Sequence, residues 1–178
     1  IVSLLSAFNT INSGFQVAVM APTEILARQH YNLAKKIFPS NISTELISGK
    51  SSYKEKKLIL NELINNKINI IFGTHAIFQK TVRFKKLGLI IIDEQHKFGV
   101  NQRKRLSDKG GNDCDVLLMT ATPIPRTLTM TIYGDMDLSI IREKPKNRKM
   151  IKTYSKLESK IDDVIKFIKK EINSGNQI

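Results

Sequence analysis

Tryptophan is absent from this chain of 178 residues, and Cys114 is its single cysteine. One thiol cannot form an internal disulfide or supply a metal cluster, which excludes a disulfide-stapled miniprotein and favours a reducing, cytoplasmic setting. No apolar run approaches the roughly 20 residues of a membrane helix, so we expect no membrane partner. Residues 1–7 lack an initial Met and the basic leader of a signal peptide, and we expect a chain cut from a longer one.

Acidic residues are scarce as well, because 16 Asp and Glu stand against 29 Lys and Arg, for a net charge of +13. Such a chain attracts nucleic acid or anionic surfaces through a salt-sensitive term that does not depend on sequence. A hydrophobic fraction of 41% is ordinary for a globular protein and excludes a disordered or collagen-like chain. The charge therefore favours nucleic acid as a partner.

Four short apolar runs predict strands at residues 17–20, 68–72, 87–92 and 116–119. None has the polar alternation of a half-exposed strand, which indicates a parallel sheet covered on both faces. Helical stretches lie between the runs. One is fitted by Ile25, Leu26, Leu33, Ile37 and Phe38, and another by Leu58, Leu63 and Ile64. Alternating strands and helices predict a doubly wound α/β domain.

A polar segment at residues 143–149, broken by Pro145, predicts a linker after a first domain at residues 1–142. A strand candidate follows at residues 150–154. An apolar helical stripe comes next, ended by Ser174-Gly175, and consists of Leu157, Ile161, Val164, Ile165, Ile168 and Ile172. We expect residues 150–178 to be the truncated start of a second domain.

Polar residues follow each predicted strand. They are Ala21-Pro22-Thr23-Glu24, Gly73-Thr74-His75, Asp93-Glu94-Gln95-His96 and Thr120-Ala121-Thr122-Pro123. Ligands bind beyond the carboxyl ends of the strands in open parallel sheets, so these clusters would share one functional edge if the strands are parallel.

The acidic pair carries the sharpest chemical hypothesis. An Asp directly after an apolar strand can hold Mg²⁺ through water, and the next residue, Glu94, can deprotonate an attacking water. The structural alternative is a helix amino terminus, where acids are also common. The neighbouring clusters favour chemistry for Asp93 and Glu94.

The other clusters have simple structural explanations when each is taken alone. His30 is expected to be a surface or capping residue, and Thr23 is a good helix N-cap. His75 fits loop packing and phosphate contact equally well. Residues 120–122 could merely end a strand and begin a helix.

A phosphate-binding loop of the form Gly-x-x-x-x-Gly-Lys-Ser/Thr is absent. Residues 44–51 match partially, but Thr44 replaces the first glycine and falls inside an apparent strand. We expect a basic surface loop there, with Lys50 contacting nucleic-acid phosphate.

Four long stretches closely resemble the RecG family of ATP-dependent DNA helicases, in the right order and over essentially the whole chain. They are Met20-Ala-Pro-Thr-Glu-Ile-Leu-Ala-Arg-Gln-His30, Gly73-Thr-His-Ala-Ile-Phe-Gln79, Asp93-Glu-Gln-His-Lys-Phe-Gly-Val-Asn-Gln-Arg103 and Met119-Thr-Ala-Thr-Pro-Ile-Pro-Arg-Thr-Leu128. Transcription-repair coupling factor shares the last stretch but typically has Asp-Glu-Glu-His, so Gln95 and the first stretch favour RecG.

The resemblance implies a superfamily-two helicase with two RecA-like lobes and ATP in the cleft between them. It implies remodelling of branched DNA, stalled forks and Holliday junctions, in recombination and repair. Asp93 would hold Mg²⁺ and Glu94 would activate water. The remaining roles fall into two groups. Nucleotide-state coupling would involve Gln95, His96, Thr120, Ala121 and Thr122, and DNA binding would involve Pro22, Thr23, Gly73, Thr74, His75 and Lys50. Single-strand binding protein is a candidate partner, and we expect a monomer.

The family's Walker A loop would precede Ile1, so the first lobe lacks its nucleotide-binding strand and residues 150–178 begin the second lobe. We expect this chain alone to be poorly stable and unable to hydrolyse ATP. Two alternatives stay open: a non-catalytic nucleic-acid-binding module, and a small-molecule kinase or similar enzyme that uses Gly49-Lys50-Ser51.

Overall fold

A computed structural model describes residues 1–49, 51–79, 81–94, 114–121, 137, 139–141, 143 and 153–176. The chain divides into two compact units, Ile1–Asp135 and Met136–Ile178. The domain limits inferred above, 1–142 and 150–178, remain predictions. Of the inferred linker at 143–149, only Glu143 is among the described residues.

The first unit contains a parallel sheet of five strands. The strands are β1 (Gln16–Met20), β2 (Thr44–Ile47), β3 (Ile70–Gly73), β4 (Leu87–Ile92) and β5 (Asp115–Leu118). Their spatial order is β2-β3-β1-β4-β5, and every neighbouring pair is parallel. The helices are α1 (Val2–Asn12), α2 (Glu24–Ile37) and α3 (Tyr53–Ile64), with a 3-10 helix at His75–Phe78. The predicted RecA-like parallel α/β fold is confirmed.

Helices cover both faces of the sheet, which explains the unbroken apolar runs. Every residue of β1, β3 and β4 is buried. Odd and even positions along a strand face opposite sides, so Val17 packs with residues of α1 and α2, and Ala18 packs with residues of α3. The apolar runs are thus the interior of a three-layer domain.

The predicted limits of β4 are confirmed, whereas those of β1, β3 and β5 differ from the observed ones by one or two residues. Ile68 is fully buried but precedes β3, whereas Gly73 pairs with Met20 and Ile47 and therefore belongs to it. Hydrophobicity predicts which residues are buried, whereas a strand is defined by its backbone pairing. For the same reason β5 begins at the exposed Asp115.

Side chains cap the helices that follow β1 and β2. The Leu26 backbone N–H donates to Thr23 Oγ1 at 3.3 Å, which confirms Thr23 as the N-cap of α2. At α3, the Glu55 N–H donates to Ser52 Oγ at 3.2 Å and the Ser52 N–H donates to Glu55 Oε2 at 2.7 Å. This reciprocal pair is a capping box, which fixes where α3 begins.

The second unit contains a described 3-10 helix, Glu158–Lys160, and a helix α4, Ile161–Asn173. The predicted helix and its end are confirmed, because Ser174 is the C-cap and Gly175 has φ +78°. Of the predicted strand at 150–154, Thr153 and Tyr154 are described and belong to no strand; the rest lies outside the described residues.

Across the described ranges, no helix combines the length and hydrophobicity that crossing a bilayer requires.

Candidate functional site

The residues that follow four strands lie at one edge of the sheet. Backbone hydrogen bonds continue the ladders past the strand ends: Ala21 N–H to Gly73 O at 3.0 Å, Asp93 N–H to Met20 O at 2.9 Å, and Met119 N–H to Ile92 O at 2.9 Å. The described members of the four polar clusters therefore share this edge, as predicted, whereas Gln95, His96, Thr122 and Pro123 lie outside the described residues. The functional roles of these residues stay predictions.

The carboxylate of Asp93 is held by a hydrogen bond at each oxygen. His30 Nε2 lies 2.8 Å from Oδ2, and the backbone N–H of Glu94 donates to Oδ1 at 3.0 Å. The His30 hydrogen bond lowers the pKa of Asp93 despite the opposing effect of partial burial. Asp93 is therefore an ionised carboxylate at neutral pH.

Glu94 has an unusual backbone conformation directly after β4. Its φ of +52° lies in the left-handed region, which costs a residue with a Cβ about 1–3 kcal/mol and is concentrated at functional sites. The bond from its N–H to Asp93 Oδ1 stabilises this turn. This hydrogen bond therefore restrains the backbone at Glu94 and the side chain of Asp93.

Asp93 fits the role of a magnesium ligand. Its side chain is 21% exposed, and each oxygen accepts one hydrogen bond from the described residues, whereas a carboxylate oxygen can accept two. Among the described residues no group of three or more His, Cys, Asp or Glu side chains could hold a metal ion. Mg²⁺ commonly uses one or two carboxylates, waters and substrate phosphates, so a single ionised carboxylate suits this ion.

Sequence reasoning missed the partner of Asp93. His30 was expected at the surface or in a cap, but it is only 26% exposed and contacts a carboxylate 63 residues further along the chain. The helical spacing of His30 from two alanines indicates that it lies on the core side of α2. His30 follows Ala27 by three residues and precedes Ala34 by four, and both alanines are buried on the core side of α2.

The predicted DNA-contacting residues differ in their surroundings. Pro22 is half-buried and Thr23 exposed, both at the amino terminus of α2. Thr74 is half-buried and His75 exposed, at the start of the 3-10 helix. Gly73 is buried in β3, where an added Cβ would lie 2.7 Å from Ile47 O and 2.9 Å from Ile77 Cγ1. Gly73 thus has a packing reason to be glycine.

The remaining predicted residues are only partly described. Thr120 is half-buried and Ala121 exposed, directly beyond β5. Lys50, Gln95, His96 and Thr122 lie outside the described residues.

The partial phosphate-loop match forms a tight turn. Thr44 belongs to β2, and the Ser51 N–H donates to Ser48 O at 3.3 Å while the Ser48 N–H donates to Ser51 Oγ, also at 3.3 Å. An added Cβ at Gly49 would lie 3.8 Å from a carboxylate oxygen of Glu24. β2 thus occupies positions that a wide phosphate loop would need; Lys50 lies outside the described residues, and the basic surface loop stays a prediction.

Comparison with known proteins identifies the family and several relatives. The family model for DEAD/DEAH box helicases matches residues 1–131. ATP-dependent DNA helicase RecG of Borreliella burgdorferi is 47% identical over 179 residues, which is 100% of this chain and 26% of that protein. RecG of Bacillus subtilis is 46% identical over 99% of this chain and 26% of its own length. The chain thus spans about a quarter of the length of these relatives.

Solved structures agree with these matches. A structure of RecG bound to a three-way DNA junction superposes with a TM-score of 0.79 at 39% identity, over 98% of this chain and 23% of that one. A DEAD box protein from Methanococcus jannaschii gives a TM-score of 0.53 at 20% identity, over 68% of this chain and 35% of that one, which supports the fold alone.

Proposed function

The chain belongs to the DEAD/DEAH box helicase family, and from this premise we propose that it is the ATP-hydrolysing part of a motor that remodels branched DNA. The observation that carries the proposal is the pair Asp93-Glu94 at the carboxyl end of β4, on the edge where the residues after β1, β3 and β5 also lie. The similarity to RecG over the whole chain supports forks and junctions as the DNA substrate.

Two acidic side chains would carry the hydrolysis. Asp93 would hold Mg²⁺ through water, and this ion supplies charge neutralisation at the ATP phosphates when it is bound. Glu94 would orient the attacking water and accept its proton. The hydrogen bond from His30 lowers the pKa of Asp93 further, which supports its role as the metal-binding carboxylate.

The amino terminus of α2 and the turn after β3 would form the DNA track. Thr23 is exposed at the positive end of the helix dipole, and His75 is exposed at the start of the 3-10 helix. Pro22, Gly73 and Thr74 would contribute backbone and hydroxyl contacts to phosphate. Such contacts position DNA without selecting a sequence. The net charge of +13 supports the same role, to which Lys50 would add.

Coupling of ATP hydrolysis to movement would involve the residues that follow the acidic pair and β5. Thr120 and Ala121 lie directly after β5, which pairs with β4 and so neighbours Asp93. Gln95, His96 and Thr122 complete this proposed group.

The cellular setting follows from the proposed substrate. Branched DNA arises in recombination and repair, and in bacteria it lies in the cytoplasm. We propose that the protein acts there as a monomer, with single-strand binding protein as a candidate partner.

ATP hydrolysis tests the proposal directly. The full-length protein that contains this segment and the 178-residue chain are assayed side by side, each with a forked duplex, a linear duplex or no DNA. We expect only the full-length protein to hydrolyse ATP, because the 178-residue chain has no Gly-x-x-x-x-Gly-Lys-Ser/Thr sequence. Its hydrolysis should be fastest with the forked duplex.

Two results would contradict the proposal in different ways. Full-length protein that binds the fork without hydrolysing ATP would favour a non-catalytic nucleic-acid-binding module. Hydrolysis by the 178-residue chain itself, unaffected by DNA, would assign phosphate binding to residues 44–51 and a different enzyme class.

A further inference from the structure

His30 joins the helix that follows β1 to the acidic pair that follows β4. Its Nε2 lies 2.8 Å from Asp93 Oδ2, and both side chains are about three-quarters buried. A carboxylate only accepts hydrogen bonds, so the imidazole is the donor, with its proton on Nε2. This side-chain hydrogen bond connects α2 to the end of β4.

The position of His30 is set by packing. Ala27 and Ala34, on the same side of α2, are 1% and 0% exposed, so the helix is pressed against the sheet on either side of the histidine. A small residue one turn away on each side lets the backbone approach closely. The imidazole therefore reaches Asp93 from a helix face that is fixed by the core.

The two hydrogen bonds of Asp93 determine the plane of its carboxylate. The terminal torsion of an Asp side chain is broad, so a single contact would leave the carboxylate free to rotate. Here His30 holds Oδ2 while the Glu94 N–H holds Oδ1. Within the described residues, loss of His30 would leave Asp93 with the local contact to the next residue, and the oxygen facing a metal-bound water would no longer be defined.

We propose that His30 is a positioning residue for Asp93, which fixes the orientation of the magnesium-binding carboxylate and ties it to the helix that begins at the DNA-contacting Thr23. The inference rests on the function proposed above. His30 lies seven residues after Thr23 on the same continuous helix. A shift of α2 on binding DNA would therefore move the donor that orients Asp93.

The test compares three variants of the full-length protein. His30→Ala removes the donor, and His30→Gln replaces it with an amide N–H of similar reach. Asn32→Ala changes an exposed residue of the same helix and is the matched control. Mn²⁺ affinity in the presence of a non-hydrolysable ATP analogue is measured by electron paramagnetic resonance, together with kcat, KM for ATP, activation by forked DNA, and the thermal unfolding midpoint.

Loss of a group that orients a metal ligand typically weakens metal affinity or activity by about 10- to 100-fold. We expect His30→Ala to weaken Mn²⁺ binding to this extent, to lower kcat more than it raises KM, and to reduce the activation by DNA. His30→Gln should recover most of the Mn²⁺ affinity, and Asn32→Ala should match the wild type.

The inference is overturned if His30→Ala binds Mn²⁺ like the wild type, or if His30→Gln restores the unfolding midpoint but not the Mn²⁺ affinity, since a purely structural contact would behave in that way. Failure of the proposed function has a different signature, because the wild-type protein would itself show no ATP hydrolysis with forked DNA.

Discussion

Polar side chains occur at both ends of the parallel sheet, and the two ends satisfy them differently. At the amino ends, Gln16 is 1% exposed and makes four hydrogen bonds to the backbone. Its Nε2 donates to Leu63 O and Ile68 O at 2.9 Å each, and its Oε1 accepts from the N–H groups of Lys85 and Lys86 at 2.9 and 3.1 Å. The full hydrogen-bonding capacity of the amide is used.

At the carboxyl ends, Asp93 accepts from His30 and from the Glu94 N–H but stays 21% exposed, with further capacity on both oxygens. A buried, fully satisfied side chain joins elements of the fold. A partly exposed, ionised side chain with spare capacity is suited to a ligand. The extent to which hydrogen-bonding capacity is used, together with burial, thus separates structural polar residues from candidate functional ones.

The largest expected effect is on activity and comes from the carboxyl ends. Glu94→Gln keeps the size of the side chain but removes the proposed general base, a group that typically contributes about 10²- to 10⁴-fold. We expect ATP hydrolysis by the full-length protein with forked DNA to fall within that range. Because the substitution keeps the shape of this half-buried side chain, the free energy of unfolding should change by about 1 kcal/mol or less. If Glu94→Gln instead lowered activity only because it unfolds the protein, the carboxyl ends of the sheet would not be distinguished from the amino ends as a functional site.

The next effect is on stability and comes from the amino ends. Gln16→Leu leaves Ile68 O and the N–H groups of Lys85 and Lys86 without this partner, while Leu63 O keeps the Asn66 N–H at 3.2 Å. Each unsatisfied group costs about 1–3 kcal/mol when buried. We expect the free energy of unfolding in urea to fall by about 3 kcal/mol or more. The same change at the exposed Gln29 is the control and should have little effect. Equal stability of both variants would refute a structural role for Gln16.

A smaller effect on stability should follow from replacing one glycine at each end of the sheet, Gly88 and Gly73. An added Cβ at Gly88 would lie 2.6 Å from Phe15 Cβ, and one at Gly73 would lie 2.7 Å from Ile47 O. We expect Gly88→Ala and Gly73→Ala each to destabilise the fold by about 1–3 kcal/mol, because neighbouring atoms must shift. Gly49→Ala, whose nearest contact would be 3.8 Å away, is the control. A stable Gly73→Ala protein with weakened DNA binding would instead make Gly73 a purely functional residue.

The smallest effect concerns Glu45, in the middle of the edge strand β2. Burial raises the pKa of this carboxyl group, against the weaker opposing effect of Lys35. A raised folded-state pKa means that the ionised form is disfavoured in the fold, so stability should increase as pH falls through that pKa towards the unfolded value. Partial exposure makes the effect small. Urea unfolding between pH 7 and pH 4 should show a slope for the wild type that is reduced in Glu45→Gln; an unchanged slope would contradict this assignment.

Much of the fold was predictable because the central strands are buried on both faces. The apolar runs of β1, β3 and β4 gave their positions, and parallel pairing then required the polar clusters to share an edge. The helices α2, α3 and α4 were also predicted, but the buried face of α2 was not. Ile25 and Ile37 are 72% and 45% exposed, whereas Ala27 and Ala34 face the core. Hydrophobicity alone does not reveal where close packing favours a small residue.

The contacts that set the site were harder to predict, since they join residues far apart in sequence. Gln16 was left outside the first predicted strand because it is polar, although its hydrogen-bonding partners make it a core residue. His30 and Asp93 are 63 residues apart, and a single sequence does not indicate that their side chains meet. The hypothesis for Asp93 and Glu94 needed only local order along the chain, since it rested on their position directly after an apolar run.

The parallel pairing of β1 also constrains how the chain folds during synthesis. β1 ends at Met20, but its neighbours Ile70–Gly73 and Leu87–Ile92 leave the ribosome about 50 and about 70 residues later. At about 5–20 residues per second, the nascent chain carries β1 without its first neighbour for roughly 3–10 s and without its second for roughly 4–14 s. During that interval residues 17–20, entirely apolar, are available to a chaperone or to another nascent chain. A strand that is buried throughout in the finished domain is therefore open to aggregation while the domain is being made.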